Sequence, residues 1–284
     1  MERFVVVTDS TANLPPELVA EYDVSVIPLT VHWGEETYLE GVTLDGPTFY
    51  QWLQERETLP TTSQPSPGAF IEFFQQVAEK YATPNILGIF ISTEMSGTLA
   101  SATQAKAELP DLHIELVDSR SVSMGLGMQV LIAARAAHAG QSLEAAVEHA
   151  LHMRDEVQVI FAVDTLEYLR RGGRIGGAAC FLGTTLNLKP VLHIQDGQVM
   201  PLEKVRMRRK SLQRVVEIIA ERLQGRRARE MAIVYAQAED DVALVKGWLM
   251  ERFNPDALYT ALLTPVVGTH AGPGALAVVF YAEE

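Results

Sequence analysis

The sequence predicts an α/β protein with two parts: an N-terminal domain with a mainly parallel sheet and crossover helices, and a C-terminal α+β domain with a mostly antiparallel sheet. In residues 1–157 short apolar runs alternate with segments of helical periodicity, the pattern of βα units. After about residue 157 six apolar runs follow, and two of them flank an Asp-Gly pair, a strong hairpin signal. With 284 residues, 48% of them hydrophobic, the chain can form two cores. We therefore expect domains at 1–157 and 158–284.

The N-terminal elements are predicted from apolar runs and from helix-start signals. The predicted strands are Arg3–Thr8, Val24–Val31, Ile86–Ser92 and His113–Val117. A capping residue or a proline at the first helical position marks a helix start. Such starts are Asn13 with Pro15, Gly46 with Pro47, Ser66 with Pro67, and Ser142 with Leu143.

The C-terminal elements follow a different pattern, with helices expected near residues 207–224 and 240–251. Two of the strands are joined through Gln195-Asp-Gly-Gln198 and predict a hairpin. The predicted strands are Val157–Val163, Leu188–Ile194, Val199–Val205, Met231–Tyr235, Leu258–Leu263 and Ala275–Tyr281.

The turn Ser92-Thr-Glu-Met-Ser-Gly-Thr98 follows a buried strand and precedes a helix. With Ser96 as the predicted N-cap, its hydroxyl and several unpaired backbone N–H groups would point at one position, which favours an anion. No lysine follows Thr98, so the turn is not a P-loop. It suits a small, singly charged group such as a carboxylate. The alternative is a turn that only caps its helix.

Two further segments carry candidate binding groups. In Thr61-Thr-Ser-Gln-Pro-Ser66 the proline is expected to hold the hydroxyl-bearing residues, Thr62 among them, on a stiffened loop. The Gly/Pro-rich segment 264–275 is expected to form a turn that presents His270 before the last strand. A histidine fixed by its backbone would be a positioned donor. The alternative for His270 is a loop histidine bonded to a nearby carbonyl.

Charge is distributed unevenly along the chain. The net charge is −13 overall, −15 for residues 1–157, +2 for residues 158–284 and +10 for residues 170–229 alone. An arginine-rich cluster of this kind indicates recognition of phosphate or of an acidic protein surface. Nucleic acid ranks lower, because the chain is acidic and has no nucleic-acid-binding motif. A solvated helix face is the alternative for Arg222, Arg226, Arg227 and Arg229. The predicted docking residues are Arg170, Arg171, Arg174, Arg206 and Arg208.

Neither a signal peptide nor a membrane span is expected, because the apolar run after Arg3 is short and no longer one follows. We therefore expect a cytoplasmic protein. The single cysteine, Cys180, excludes an internal disulfide and a cysteine-based metal cluster. We expect Cys180 to be a small buried apolar residue, and we predict no metal site.

Seven motifs in order extend the analysis to the whole chain. They are Phe4-Val-Val-Val-Thr-Asp-Ser-Thr11, Thr62-Ser-Gln-Pro-Ser66, Ser92-Thr-Glu-Met-Ser-Gly-Thr98, Val117-Asp-Ser119, Leu169-Arg-Arg-Gly-Gly-Arg-Ile-Gly176, Leu188-Lys-Pro-Val191 and Gly268-Thr-His-Ala-Gly-Pro-Gly274. With them the chain resembles the DegV family of bacterial fatty-acid-binding proteins, which includes the acyl-carrying subunits of fatty acid kinases. The resemblance implies that Thr62 and Ser96 hold the carboxylate of a long-chain fatty acid, with the Gly97 N–H and His270 as further donors.

The resemblance also implies a carrier without enzymatic activity or cofactor, which presents its fatty acid to a partner fatty acid kinase. It implies no nucleic-acid partner and leaves open a transient contact with a membrane surface. Two alternatives remain: phosphate carried on His270, and a hydrolase that uses Ser96 and His270 with Asp9 or Glu94. The Gly-x-Ser-x-Gly pattern of a nucleophile elbow is absent around Ser96.

Overall fold

The computed structural model describes residues 3–183 and 188–282. The strands are β1 (Val5–Asp9), β2 (Ser25–Ile27), β3 (Thr30–Trp33), β4 (Glu36–Leu39), β5 (Thr61–Ser63), β6 (Asn85–Phe90), β7 (His113–Asp118), β8 (Gln158–Ala162), β9 (Val191–Gln195), β10 (Gln198–Glu203), β11 (Glu230–Tyr235), β12 (Ala257–Leu262) and β13 (Leu276–Phe280). The α-helices are α1 (Pro16–Glu21), α2 (Gly46–Glu55), α3 (Pro67–Tyr81), α4 (Thr98–Ala107), α5 (Met124–His138), α6 (Leu143–Glu156), α7 (Glu167–Arg171), α8 (Arg208–Leu223), α9 (Glu239–Phe253) and α10 (Pro265–Ala271).

The N-terminal strands β2, β1, β6 and β7 form a sheet in that order, and every pair in it is parallel. Its two faces are covered by different helices. Val5 and Val7 of β1 belong to the same core as Phe70 of α3, whereas Val6 belongs to the core that contains Leu126 of α5. A parallel sheet buried on both faces explains why its strands are continuous apolar runs. The predicted parallel architecture is confirmed.

The C-terminal sheet has the order β10-β9-β8-β13-β11-β12. Neighbouring strands are antiparallel except for β11 and β12, which are parallel. Asp196 and Gly197, between β9 and β10, have φ values of 49° and 78°. Two consecutive positive φ values are what a two-residue type I′ turn requires. The predicted hairpin and the mostly antiparallel sheet are confirmed.

A third sheet, with the order β4-β3-β5, was not predicted. The residues Thr61–Ser63, expected to form a stiffened loop, are strand β5 and pair antiparallel with Thr30–His32 of β3. The loop prediction was wrong because three residues are too few to show the alternation that identifies a strand.

Two predicted helix starts are confirmed by their capping contacts. The Ser66 hydroxyl accepts a hydrogen bond from the Ala69 N–H at 3.1 Å, and the Ser142 hydroxyl accepts one from the Ala145 N–H at 3.2 Å. Both are N-cap interactions that satisfy a free N–H of the first helical turn. The Ser66 cap matters for the site, because it fixes the chain that leads out of β5 into α3.

One hydrophobic core is shared by the two halves of the chain. It brings Trp33 and Phe49 together with Phe161 and Val234 of the C-terminal sheet. The helices α8 and α9 supply residues to the core on the opposite face of that sheet. The division into domains 1–157 and 158–284 stays a prediction.

Cys180 lies exposed in the 3-10 segment Gly176–Phe181. The prediction that it is buried was wrong: in this tight segment Ala178 and Phe181 take the buried positions, and Cys180 is turned to solvent. No helix formed by residues 3–183 and 188–282 has both the length and the apolar character needed to cross a bilayer.

Candidate functional site

A cavity lies between the C-terminal sheet and the loops that follow β5 and β6. It encloses about 910 Å³, counting the solvent at its mouth. Most of its wall is apolar, with Val159, Phe161 and Val234 from the sheet and Val266 from α10. Its polar lining residues are Thr62, Ser63, Gln64, Ser96, Ser123, Arg174 and His270.

Thr62 and His270, which lie 208 positions apart in the chain, are in direct contact at this cavity. The distance between Thr62 Oγ1 and His270 Nε2 is 2.9 Å. Thr62 is held by the pairing of β5 with β3, and His270 lies in the last turn of α10. The Gly/Pro-rich segment was expected to be a turn, but residues 265–271 form this short helix, which begins with a proline at a position where prolines favour helix formation. The turn prediction was wrong, although the residue it singled out lines the cavity.

Ser96 lines the same cavity but is not the N-cap of α4. Gly97 occupies that position, so the N-cap prediction was wrong by one residue. The Ser96 hydroxyl contacts Thr98 Oγ1 at 2.8 Å and accepts a hydrogen bond from the Thr98 N–H at 3.3 Å. Its oxygen therefore still satisfies an N–H of the first helical turn, as a cap does.

Gly97 is not a lining residue of the cavity, but it is the point at which the segment 92–98 contacts the segment 61–66. A Cβ at Gly97 would lie 2.9 Å from Nε2 of Gln64, so the Gln64 amide packs against the Gly97 backbone. Within the described part of the chain, no hydrogen bond engages the Gly97 N–H. Its neighbour Ser96 does line the cavity.

The His270 ring is neutral at pH 7. Burial, together with the nearby positive charge of Arg174, lowers its pKa to about 4. The other ring nitrogen, Nδ1, is buried and has no hydrogen-bond partner among the described residues. It lies against Gly172, where an added Cβ would be only 2.0 Å away. A phosphoryl group on Nδ1 would have no space, and Nε2 is occupied by Thr62.

Arg174 is the one predicted docking residue that lines the cavity. Its Nε donates to the Met95 carbonyl at 3.0 Å and its Nη1 to the Gly172 carbonyl at 2.7 Å. No lysine or arginine is adjacent in sequence to Thr62, Ser96 or His270. The fold nevertheless brings Arg174 to the same cavity from a distant part of the chain.

The other predicted docking residues differ in how strongly they are already engaged. Arg170 and Arg171 both form ion pairs with Glu167, at 2.8 and 2.5 Å. Arg208 forms an ion pair with Asp241 at 2.8 Å. Arg206 is exposed, and no side chain in the described ranges pairs with it. Arg206 is therefore the member of this group most available to a partner.

Ser123 is a buried residue that lines the cavity and that was not predicted from the sequence. It has φ 57° and ψ −146°, a region that residues other than glycine rarely occupy and that costs roughly 1–3 kcal/mol. Its hydroxyl donates to Asn13 Oδ1 at 3.3 Å. Nothing in the local sequence signals this backbone conformation. Ser63 and Gln64, by contrast, lie inside a motif that the sequence analysis quoted.

A hydrolase triad does not form at this cavity. The Ser96 hydroxyl contacts Thr98, and no hydrogen bond joins it to His270 among residues 3–183 and 188–282. Asp9 is fully buried, where its carboxylate accepts hydrogen bonds from the N–H groups of Thr11 and Ile91. Because its oxygens are already used, Asp9 is not placed to orient His270.

Comparisons with known proteins agree over the whole chain. A family model described as "Uncharacterised protein, DegV family" matches residues 3–283. A DegV domain-containing protein of Streptomyces coelicolor is 38% identical over 281 residues, which are 98% of this chain and 99% of that protein. A fatty-acid-binding DegV family protein from Thermus thermophilus is 35% identical, with a TM-score of 0.92 over 99% of this chain and 100% of that one. DegV from Bacillus subtilis, described as a fatty acid binding protein, is 31% identical, with a TM-score of 0.90 and full coverage of both chains.

Proposed function

The chain belongs to the DegV family, and from this premise we propose that it binds one long-chain fatty acid non-covalently. Structural neighbours more than 30% identical to it are described as fatty-acid-binding proteins. The observation that carries the proposal is the cavity itself, which combines a long apolar wall with a polar end formed by Thr62, Ser96 and His270.

The apolar wall suits an acyl tail. Phe161, Val199 and Val234 are almost fully buried residues of the sheet that line it. Burying about fifteen methylenes at about 0.8 kcal/mol each would contribute on the order of 12 kcal/mol as an upper bound. Most of the affinity therefore comes from the tail.

The polar end suits a carboxylate, which must be hydrogen-bonded when it leaves water. When His270 carries its proton on Nε2, it donates to the Thr62 oxygen. The Thr62 hydroxyl hydrogen is then free for the ligand. The Ser96 hydroxyl, the Gly97 N–H and the positive charge of Arg174 complete a set of groups that favour an anion. The head group thus sets the orientation of the bound fatty acid.

The binding site is tested with alanine variants. Ser96→Ala or Thr62→Ala removes a donor to a charged group, which is worth roughly 1.5–3 kcal/mol, so affinity for a long-chain fatty acid should fall about tenfold or more. Thr103→Ala is a matched control, because its hydroxyl bonds to the Leu99 carbonyl on the exposed side of α4. Titration calorimetry of delipidated protein gives the affinities. Unchanged binding in both site variants would place the head group elsewhere. If denaturing extracts of the wild-type protein contain no fatty acid and the delipidated protein binds none, the carrier proposal is wrong.

We further propose that the protein presents the bound carboxylate to a fatty acid kinase, which forms an acyl phosphate. The exposed, unpaired Arg206 and the cavity-lining Arg174 support a docking surface for an acidic partner, because complementary charge speeds association. Arg206→Glu should slow acyl-phosphate formation at low salt and leave fatty-acid binding intact. Lys246→Glu, an exposed charge reversal on α9, is the control. Equal rates of acyl-phosphate formation for the two variants would assign another role to the basic residues between positions 170 and 229.

A further inference from the structure

A second cavity, separate from the proposed fatty-acid site, lies where the loop after β7 meets the ends of α6 and α8. It encloses about 1070 Å³, counting the solvent at its mouth. We call it the arginine cavity, because three arginines line it. The charged residues and the histidine that line it are Arg120, Arg154, Asp155, His193, Asp196 and Arg222.

Arg222, in the last turn of α8, is half-buried in this cavity without an acidic partner. Its Nη1 donates to Gln158 Oε1 at 2.8 Å and its Nη2 to His193 Nδ1 at 3.0 Å. No carboxylate among the described residues forms an ion pair with it. Burial lowers its pKa, because the charged guanidinium loses water without gaining a counter-ion. A guanidinium in this state has unmet capacity to bind an anion.

His193 adds a donor beside Arg222. Its side chain is buried, and burial together with the Arg222 charge lowers its pKa to about 4, so the ring is neutral at pH 7. Since Arg222 donates to Nδ1, Nδ1 holds the lone pair and the proton of the neutral ring is on Nε2. The histidine therefore presents an N–H and no second acceptor.

The remaining charges leave the arginine cavity positive. Asp155 is already engaged, because Arg154 Nε donates to its carboxylate at 3.2 Å. Asp196, in the hairpin turn, is the other acid at the wall. The positive charges of Arg222 and Arg120 exceed the negative charge of Asp196. No described residue forms a hydrogen bond or an ion pair with the exposed Arg120 side chain.

We propose that the arginine cavity is a binding site for a small phosphate-class anion, held by Arg120, Arg222 and the Nε2–H of His193. Guanidinium groups bind phosphate through parallel hydrogen bonds, and an N–H donor beside them suits a further oxygen. The arginine cavity shares Val159 and Ile194 with the wall of the proposed fatty-acid site. The two sites are therefore neighbours, but the wall of one is mostly apolar and that of the other carries charged side chains. The proposal does not depend on which ligand the proposed fatty-acid site binds.

The experiment measures the melting temperature of the full-length protein against increasing inorganic phosphate, with sodium chloride at equal ionic strength as the reference. A second series with glycerol 3-phosphate distinguishes free phosphate from a phosphate ester. A ligand that binds only the folded state stabilises it by RT ln(1 + [L]/Kd), so above Kd the melting temperature rises with the logarithm of ligand concentration. We expect such a rise, beyond that in sodium chloride, in at least one series for the wild-type protein.

Variants assign that rise to the cavity. Arg222→Gln should abolish it, and Arg120→Gln should raise the apparent dissociation constant about tenfold, as expected for the loss of one bond to a charged group. Arg120→Gln loses no side-chain hydrogen bond or ion pair within the described chain, so it tests the site even if Arg222→Gln fails to fold. Arg209→Gln, exposed at the start of α8 and outside the cavity, should respond like the wild type. No rise beyond that in sodium chloride, or an unchanged response in Arg120→Gln, would overturn the proposal.

Discussion

The absence of a side chain at Gly172 decides where the His270 ring can lie. The backbone of Gly172 is ordinary, with φ −74°, so an alanine would fit the chain locally. The restriction is spatial, because an added Cβ would lie 2.0 Å from His270 Nδ1 and 2.9 Å from its Cε1. The ring would have to move away from Thr62.

We therefore predict that Gly172→Ala weakens fatty-acid binding and lowers the free energy of unfolding by about 1–3 kcal/mol, the usual range for overpacking. Gly247→Ala is the matched control: Gly247 lies within α9 with nothing within 4 Å of its added Cβ, so this change should stabilise the protein slightly. Urea unfolding and calorimetry measure the two effects. A Gly172→Ala protein that binds as the wild type does would show that the ring position is not set by this contact.

His270 also makes stability depend on pH. Its folded-state pKa of about 4 lies below the ordinary value of about 6.5, so between these values the unfolded chain binds more protons. Stability is then lost as pH falls through this window. Relative to His270→Gln, the wild type should lose about 2 kcal/mol of unfolding free energy between pH 7 and pH 5. Urea titrations of both proteins at the two pH values measure this, and a constant difference would contradict the low pKa.

Several residues that line the candidate site could be predicted from the sequence. Thr62, Ser96 and His270 follow from motifs, and the structure places all three at one cavity. Arg174 and Ser123 were not predicted to line it. The approach of Arg174 to Met95 depends on how distant segments pack, and the unusual backbone of Ser123 is imposed by its surroundings. Neither is visible in a local pattern.

Among the elements, α10 has the most influence on the site, because it carries His270 and begins at a buried carboxyl group. The N–H of Val266, in its first turn, donates to Glu40 Oε1 at 2.6 Å. Burial, with a further contribution from the nearby Asp9, raises the pKa of Glu40 to about 7. Glu40 therefore holds the start of α10 in a neutral or partly ionised form near pH 7.

We predict that Glu40→Gln changes the pH dependence of stability. The folded pKa of about 7 exceeds the usual value of about 4.3, so the wild type loses stability as pH rises through this window. The glutamine variant keeps the Oε1 acceptor and cannot ionise. Between pH 5 and pH 8 it should gain on the order of 2 kcal/mol relative to the wild type, as measured by urea unfolding. Parallel curves would show that Glu40 ionises normally.

Elements with strong periodicity or turn chemistry were predicted well. The strands β1 and β6, with continuous apolar residues, and the Asp196-Gly197 hairpin are confirmed. The short elements were not: β5 depends on pairing with β3, and α10 lies in a segment whose glycines and prolines indicated a turn. Both are stabilised by contacts with residues distant in the chain, which override local preference.

For the whole molecule, the core shared by the two halves is the main constraint on unfolding. Trp33 and Phe49 precede residue 157, and Phe161 and Val279 follow it, yet all four lie in one buried cluster. Separating the halves would expose this apolar surface on both sides. The two halves should therefore stabilise each other.

We predict one cooperative unfolding transition. Trp33 and Trp52 report on the N-terminal half, and Trp248 reports on α9 of the C-terminal half. The fluorescence of Trp248→Phe therefore follows the N-terminal half, and that of Trp33→Phe/Trp52→Phe follows the C-terminal half. The two unfolding midpoints should coincide after correction for the stability of each variant. Calorimetric and van't Hoff enthalpies should agree for the wild type, the standard sign of a two-state transition. Two resolved transitions would instead support independent domains at 1–157 and 158–284.

The position of β13 affects how the protein forms during translation. Of the six strands in its sheet, β13 is made last, yet it lies between β8 and β11. While the ribosome is still adding residues before Leu276, both neighbours have an open hydrogen-bonding edge, and unpaired edges favour association between chains. This sheet is therefore completed only when its central strand emerges. Nascent chains stalled before β13 should depend on chaperones, whereas the parallel sheet, whose last strand ends at Asp118, has all its strands available much earlier.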